Sequence, residues 1–307
     1  KVILTNDIDL SAYRWMPINY GFCGGIFDGQ GHSISGLYVK EDNDAGLFST
    51  LICMNTKVMN LNIDSCYIHS GYRAGGVAAV FDMISVYNCS VKGTIYGYFL
   101  AGGLAAMAND CEIINCYTDC NIKGNIQIAG GWMGVGGLIG NLLGANKHLK
   151  TTVIRNCYSS SKVISPILKG LLVGYIRDGY VYNSYGLEQN NDSLFGYSEL
   201  STTIDNSLFS ESEGSWELRD SIVFDNEKTN KLLDALNMGV MAINNHGLRS
   251  WIADTSNNNT PIFGDTIEIV CENVSNVVAR NIVVNGSQAV EISWIENGII
   301  EDRKSVV

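Results

Sequence analysis

The chain has 307 residues and carries 20 Lys and Arg against 31 Asp and Glu, a formal charge of −11, with 46% apolar residues. This apolar content can offset chain entropy and so excludes disorder, and three prolines exclude a collagen or polyproline stalk. The acidic balance excludes ordinary binding to nucleic acid or anionic lipid, which needs clustered cations, and leaves 33 glycines and 31 asparagines to be explained.

No run of about 18 apolar residues exists, so no membrane-spanning helix is expected. Lys1-Val2-Ile3-Leu4 reads as the middle of a strand, with no leader in residues 1–20. The chain is therefore read as starting inside a repeat, and the missing leader says nothing about export. Nine cysteines, an odd number in a chain with a sizeable core, argue against a complete disulfide framework. Cys116-x-x-x-Cys120 alone is a weak metal signal.

Along the chain one slot recurs as apolar, variable, Asn, small. It is seen at Val58-Met59-Asn60-Leu61, Val86-Tyr87-Asn88-Cys89, Ile113-Ile114-Asn115-Cys116, Ile154-Arg155-Asn156-Cys157, Val181-Tyr182-Asn183-Ser184 and Ile204-Asp205-Asn206-Ser207. An earlier copy puts Gly36 in the Asn place. From Gly36 to Asn206 the steps are 24, 28, 27, 41, 27 and 23 residues, the 41 reading as a step plus an insertion. A second slot alternates with it, at Gly46-Leu47, Gly75-Gly76-Val77, Gly102-Gly103-Leu104, Gly136-Gly137-Leu138, Gly170-Leu171 and Ser193-Leu194.

The position two before Asn is always Val or Ile, which suits a strand facing a core. The position just before it varies freely and so faces outward. Asn and Gly share tolerance of positive φ, so the slot reads as a corner in the left-handed region. Such a repeat predicts an all-β fold, a right-handed parallel β-helix (solenoid) with a small α/β cap and a C-terminal β-segment, its stacked asparagines forming a hydrogen-bonded ladder. A leucine-rich repeat has a similar period, but its L-x-x-L-x-L-x-x-N signature is missing.

Three stretches carry a family resemblance. Leu4-Thr5-Asn6-Asp7-Ile8-Asp9-Leu10-Ser11 with Trp15-Met16-Pro17-Ile18, then Phe27-Asp28-Gly29-Gln30-Gly31-His32 through Val39, and Gly137-Leu138-Ile139-Gly140 resemble GLUG-motif repeat proteins of bacterial cell surfaces. The resemblance covers roughly residues 3–210. It implies a parallel β-helix on an exported protein, often attributed to adhesion. Similar repeats precede the catalytic part of IgA-cleaving metallopeptidases, whose H-E-x-x-H is missing here, so peptidase activity is not implied.

The repeat domain is thus expected over 1–210. Residues 210–221 read as a polar loop. Residues 227–243 read as an amphipathic helix with Leu232, Leu233, Leu236, Val240 and Ile243 on one face, capped by Asp225 or Asn226 and ended by Gly247. The whole of 211–264 is expected to cap the last coil, whose core and edge would otherwise lie open. Residues 265–307 read as a short β-rich segment with strands at 266–271, 281–284 and 289–294 and a hairpin at Asn285-Gly286, either an extra sheet or a truncated following module.

A lyase would want clustered carboxylates with a basic residue; Glu41, Asp42, Asn43 and Asp44 supply oxygens, with no cation evident beside them. A hydrolase would want two carboxylates; Asp28 is the candidate, against its reading as a turn residue. Asn6, Asp7 and Asp9 form another oxygen cluster that reads as a corner. His32, His69, His148 and His246 are scattered without ligand spacing, and neither metal nor cofactor is expected. Gly134-Val135-Gly136-Gly137 mimics a dinucleotide loop but belongs to the repeat. Cys89, Cys116 and Cys157 share one inward slot and read as packed thiols.

Two residues after the Asn slot come Asn62, Ser90, Tyr117, Tyr158, Tyr185 and Leu208. Tyr117, Tyr158 and Tyr185 would form an outward row, a platform for sugar rings; the alternative is a self-stacked or covered row. The functional expectation is a non-enzymatic, exported or surface-attached scaffold for adhesion through glycans or surface proteins. A carbohydrate-active lyase or hydrolase and a passive spacer are the alternatives.

Overall fold

The structure is a computed structural model. It describes residues 1–19, 23–125, 133–144, 151–166, 168–189, 192–204, 206–212, 215–224, 227–243, 247–266, 290–296 and 299–305. The chain forms two compact units, Lys1–Ile267 and Glu268–Val307. In the second, Val290–Glu296 and Ile299–Ser305 pair as an antiparallel hairpin. The expected strands at 266–271 and 281–284, and the Asn285-Gly286 turn, fall wholly or mostly outside the described residues.

Most strands of the first unit pair in parallel with a later segment of the chain. One sheet of ten strands runs through Ile26–Asp28, Phe48–Met59, Ala78–Tyr87 and Val173–Tyr182. A twelve-stranded second sheet runs through Ser33–Ser35 and Tyr38–Glu41, then Asn62–Ser70, Ser90–Gly97 and Tyr117–Gly124. The third has four short strands, Arg73–Gly75, Leu100–Gly102, Gly134–Gly136 and Leu168–Gly170, which hold the Gly-Leu slot. There the chain bends too tightly for a side chain: a Cβ on Gly136 would lie 1.9 Å from the Ile139 carbonyl oxygen.

The hydrophobic pattern fixes the register. Phe27, Val58, Val86, Ile113, Ile154 and Val181 pair in sequence across the first sheet and are all buried. Because side chains alternate faces, a slip of one residue would turn this whole row outward.

The expected right-handed parallel β-helix is corrected by the pairing. Ala78–Tyr87 carries Ala105–Asn109 on its first half and Glu112–Ile114 on its second. Val173–Tyr182 likewise carries Ile139–Leu143 and Val153–Arg155. Since Ala105–Asn109 also pairs Ile139–Leu143, and Glu112–Ile114 pairs Val153–Arg155, the ladder splits and rejoins as a closed ring of six parallel strands. The break at Asp110, in the left-handed region at φ 50°, divides one path into two strands. The second sheet is mixed, turning antiparallel from Ser207–Ser212 to Ser215–Phe224 and Glu227–Lys231.

The expected polar loop at 210–221 is therefore strand. Trp216, Leu218 and Ile222 are buried while Ser215, Glu217 and Arg219 are exposed, the period-two pattern of a half-buried strand. The helix is shorter than expected, Leu232–Ile243, because Thr229–Lys231 still pairs with the preceding strand. Asp225 and Asn226 lie outside the described residues. The buried helix face is Leu232, Ala235, Leu236, Met238 and Gly239, with Leu233 and Val240 at its margin.

The segment after the strands is not a plug on the end of the stack. The helix and the antiparallel pair Arg249–Asp254 with Thr260–Thr266 lie along its side, over the corner between the first two sheets. One bridge, Cys23–Cys53, ties the first repeats; six other cysteines are buried free thiols, and Cys271 lies outside the described residues.

Gly239 gives a test of this lateral packing. In an exposed helix Gly→Ala stabilises by about 1 kcal/mol. Here a Cβ would stand 2.0 Å from Asn156 Oδ1, so Gly239→Ala is expected to destabilise by roughly 1–3 kcal/mol, read as a lowered denaturant midpoint.

Candidate functional site

Three surfaces are built on the corner and on the second sheet. The corner positions the other two. Asn60, Asn88, Asn115, Asn156 and Asn183 have φ of 53, 50, 55, 53 and 45°, the conformation that Asn tolerates best among residues with a side chain. Their amides are linked. Asn88 Nδ2 donates to Asn60 Oδ1 at 2.8 Å, Asn115 to Asn88 at 2.8 Å and Asn156 to Asn115 at 2.9 Å. Asn60 in turn donates to Asp28 Oδ1 at 3.0 Å, so a carboxylate ends the run.

An amide has two N–H bonds, and the second of Asn88, Asn115 and Asn156 engages the covering segment. Asn88 donates to the Gly247 carbonyl, Asn115 to that of Arg249 and Asn156 to that of Leu236. In return Arg249 N–H donates to Asn88 Oδ1, and Trp251 Nε1 donates to Asn115 Oδ1 at 2.7 Å. Asn156 Oδ1 has no hydrogen bond and instead meets Gly239, where the run stops short of Asn183.

Two expected members stand elsewhere. Ser35 pairs with Asp64, which puts Gly36 level with Ser65, in a second corner with φ of 65 and 54°. Tyr182 pairs with Ile204 and Tyr185 with Ser207, which puts Asn206 level with Ser184. Asn206 thus takes the small inward slot, one residue off the corner. That slot forms its own ladder, each backbone N–H donating to the side chain of the next repeat: Cys89 to Cys116 Sγ, Cys116 to Cys157 Sγ, Cys157 to Ser184 Oγ and Ser184 to Asn206 Oδ1. Burial pushes the Cys116 thiol well above the ordinary range, so it acts as a packed acceptor and not as a nucleophile.

The tyrosine row is corrected from an exposed platform to a core. Tyr117 and Tyr158 stack at 5.1 Å with planes 2° apart, but Tyr117, Tyr158 and Tyr185 are all buried. Trp251 lies edge-on to both Tyr117 and Tyr158, Phe263 meets Tyr117, and the Tyr158 hydroxyl donates to the Pro261 carbonyl. These faces are filled by the protein's own rings. Where the cover ends, a cleft of about 200 Å³ opens over Tyr117 between Asn62, Asp64, Ser90 and Lys92 of the sheet and Arg249 and Asp254.

The exposed aromatic face lies further along the same sheet, and sequence reasoning missed it. Tyr38 and Tyr67 pair across neighbouring strands and stack at 5.5 Å with planes 12° apart, at 40% and 45% exposure. Beside them His69 and Tyr96 stack at 4.5 Å. The signal was present as Tyr-x-Lys at 38–40, Tyr-x-His at 67–69 and Thr-x-Tyr at 94–96, alternating about the buried Val39, Ile68 and Ile95.

The carboxylates weighed for catalysis have structural partners. Asp28 Oδ1 accepts Gln30 N–H and Asn60, and Oδ2 accepts the Gln30 amide and meets Lys1. Burial pushes its carboxyl up, but these bonds outweigh it and hold it below the usual range. Asp44 takes both arms of Arg73, and Glu41 meets Arg14, so cations do join that loop. Asp7 accepts Ser33 N–H and Asp9 accepts Ser11 N–H. In a second cleft, of about 360 Å³, the Tyr87 hydroxyl donates to Glu112. Burial and that bond push Tyr87 up to about 12, so it holds its proton at neutral pH. Among the described residues no group of three His, Cys, Asp or Glu is placed to hold a metal ion.

Two variants test the corner. Asn115 makes four side-chain hydrogen bonds, so Asn115→Ala should cost roughly 3 kcal/mol or more, against about 0.5 kcal/mol or less for the exposed Asn125→Ala, read by chemical denaturation. For Asp28, a folded pKa below the ordinary 3.8 means that its stabilisation is full above that value and lost as pH falls through the folded one. Wild type should therefore lose more stability than Asp28→Asn between pH ~5 and ~2.

No family model matches the chain, and no curated protein matches it in sequence.

Proposed function

We propose that this chain is a non-enzymatic binding scaffold, exported to a bacterial surface, that holds glycan on the outer face of its second sheet. The carrying observation is the pair of aromatic stacks, Tyr38–Tyr67 and His69–Tyr96, set side by side on neighbouring parallel strands. Rings that brace one another offer apolar area and hydroxyl edges with little side-chain freedom to lose on binding. A shallow depression beside the first stack, lined by Ser11, Tyr13, Arg14 and Ser65, adds hydrogen-bonding groups, and Tyr13 is 69% exposed.

Export is supported by the Cys23–Cys53 bridge, since disulfides persist in oxidising compartments, and by the resemblance to GLUG repeats. No helix among the described residues is long and apolar enough to cross a membrane. The non-enzymatic reading is supported by the use of Asp28, Asp44, Asp7 and Asp9 as turn, corner and ion-pair residues.

A glycan-array comparison of wild type with Tyr67→Ala tests this. Loss of one stacked ring should weaken glycan binding by about 1 kcal/mol, roughly fivefold, whereas Tyr158→Phe, under the cover, should leave it unchanged. Glycan binding unaltered in Tyr67→Ala would remove the face from consideration.

A further inference from the structure

We infer that the glycan held by this face is an acidic one, carrying carboxylate or sulfate groups; this rests on the glycan-binding reading above. The basis is how the chain's few cations are distributed. Two outward columns cross the second sheet. The first runs Tyr38, Tyr67, Thr94, Asn121, Lys162, and the second runs Lys40, His69, Tyr96, Lys123, Ile164. They hold three lysines and a histidine and no carboxylate, in a chain where Asp and Glu outnumber Lys and Arg 31 to 20.

Three of the flanking acids have cations beside them, and a fourth, the exposed Asp42, lies two residues past Lys40, outside both columns. Glu41, at the end of the first of these strands, pairs with Arg14. Asp119 lies in the neighbouring column, directly beside Lys92. Asp64 shares the cleft with Lys92 and Arg249. The two columns are therefore a local field of positive sign on a negative molecule, and such a field draws anions in and orients them.

The arrangement also has a direction. Lys40 and Lys123 stand at either end of the His69–Tyr96 stack, three strand steps apart, or ~14 Å at the usual ~4.8 Å spacing. Lys162 continues the tyrosine column at the same end as Lys123. All three lysines are exposed. A polymer lying across the strands would rest on the rings and meet an ammonium group at each end. This favours repeated acidic groups along a chain over a single anion.

The test compares polygalacturonate and heparin with neutral dextran, using the intact chain and the exposed double variant Lys40→Gln/Lys123→Gln, with thermal melting to verify folding. Expected are binding of at least one acidic polymer and not of dextran, at least tenfold weaker binding by the double variant, and a steep loss from ~0.1 to ~1 M salt as the screening length falls from ~10 to ~3 Å. Dextran bound as well as the acidic polymers, without salt dependence and unaffected by the lysine changes, would overturn this inference and leave the glycan reading standing. No binding to any polymer here or on the array would overturn both. Equal or tighter binding of duplex DNA or phosphatidylserine vesicles would overturn it in favour of a general polyanion surface.

Discussion

The fold turns on the two N–H bonds of a primary amide placed at a left-handed corner. Each asparagine of the run from Asn60 to Asn156 spends one donor on the asparagine, or on Asp28, of the preceding repeat. For the buried Asn88, Asn115 and Asn156 that leaves one donor each, pointing away from the stack and in need of an acceptor. From Asn88 onward the acceptors are backbone carbonyls of the covering segment. A device that aligns repeats therefore also dictates where the rest of the chain must lie. A side chain with one donor could do the first task and not the second, and an ionised aspartate, which has no donor, could do neither.

The same constraint divides the outer face of the second sheet. Where the asparagine seam holds the cover down, that face carries tyrosines that stack with one another and pack against Trp251 and Phe263. Where the cover ends, at the cleft over Tyr117, the face continues into solvent with its own aromatic stacks. One sheet thus supplies a core at one end and an exposed surface at the other. The difference lies not in the residues on the strands, which include tyrosines at both ends, but in whether a distant segment reaches them.

Much was legible along the chain because parallel pairing repeats local rules. The Val or Ile two before each corner asparagine is buried, and the corners have positive φ. The errors arose where local similarity and spatial register part. Gly36 and Asn206 satisfy the motif, yet pairing sets them level with Ser65 and Ser184, because the first corner is expanded between Asp28 and Ser33 and the last repeat is shifted by one residue. The closed six-strand ring likewise depends on which halves of two long strands are paired, which no repeat length states. Residues 210–221 look like a loop by composition, but their alternation about Trp216, Leu218 and Ile222 is that of a strand.

By itself the sequence determined the strand-rich character, the corners and the inward residues, since β-branched alternation and tolerance of positive φ act within a few residues. It also determined the net charge, but not where that charge lies. Lys40, Lys123 and Lys162 are separated by 83 and 39 residues in the chain and come onto two adjacent carboxylate-free columns only through parallel pairing. Tyr117, Tyr158 and Tyr185 match Tyr38 and Tyr67 in kind, and only the long-range seam to residues 236–263 decided that the first three are core and the last two are surface. Burial is a property of what packs on a side chain, and here the partner arrives from roughly a hundred residues away.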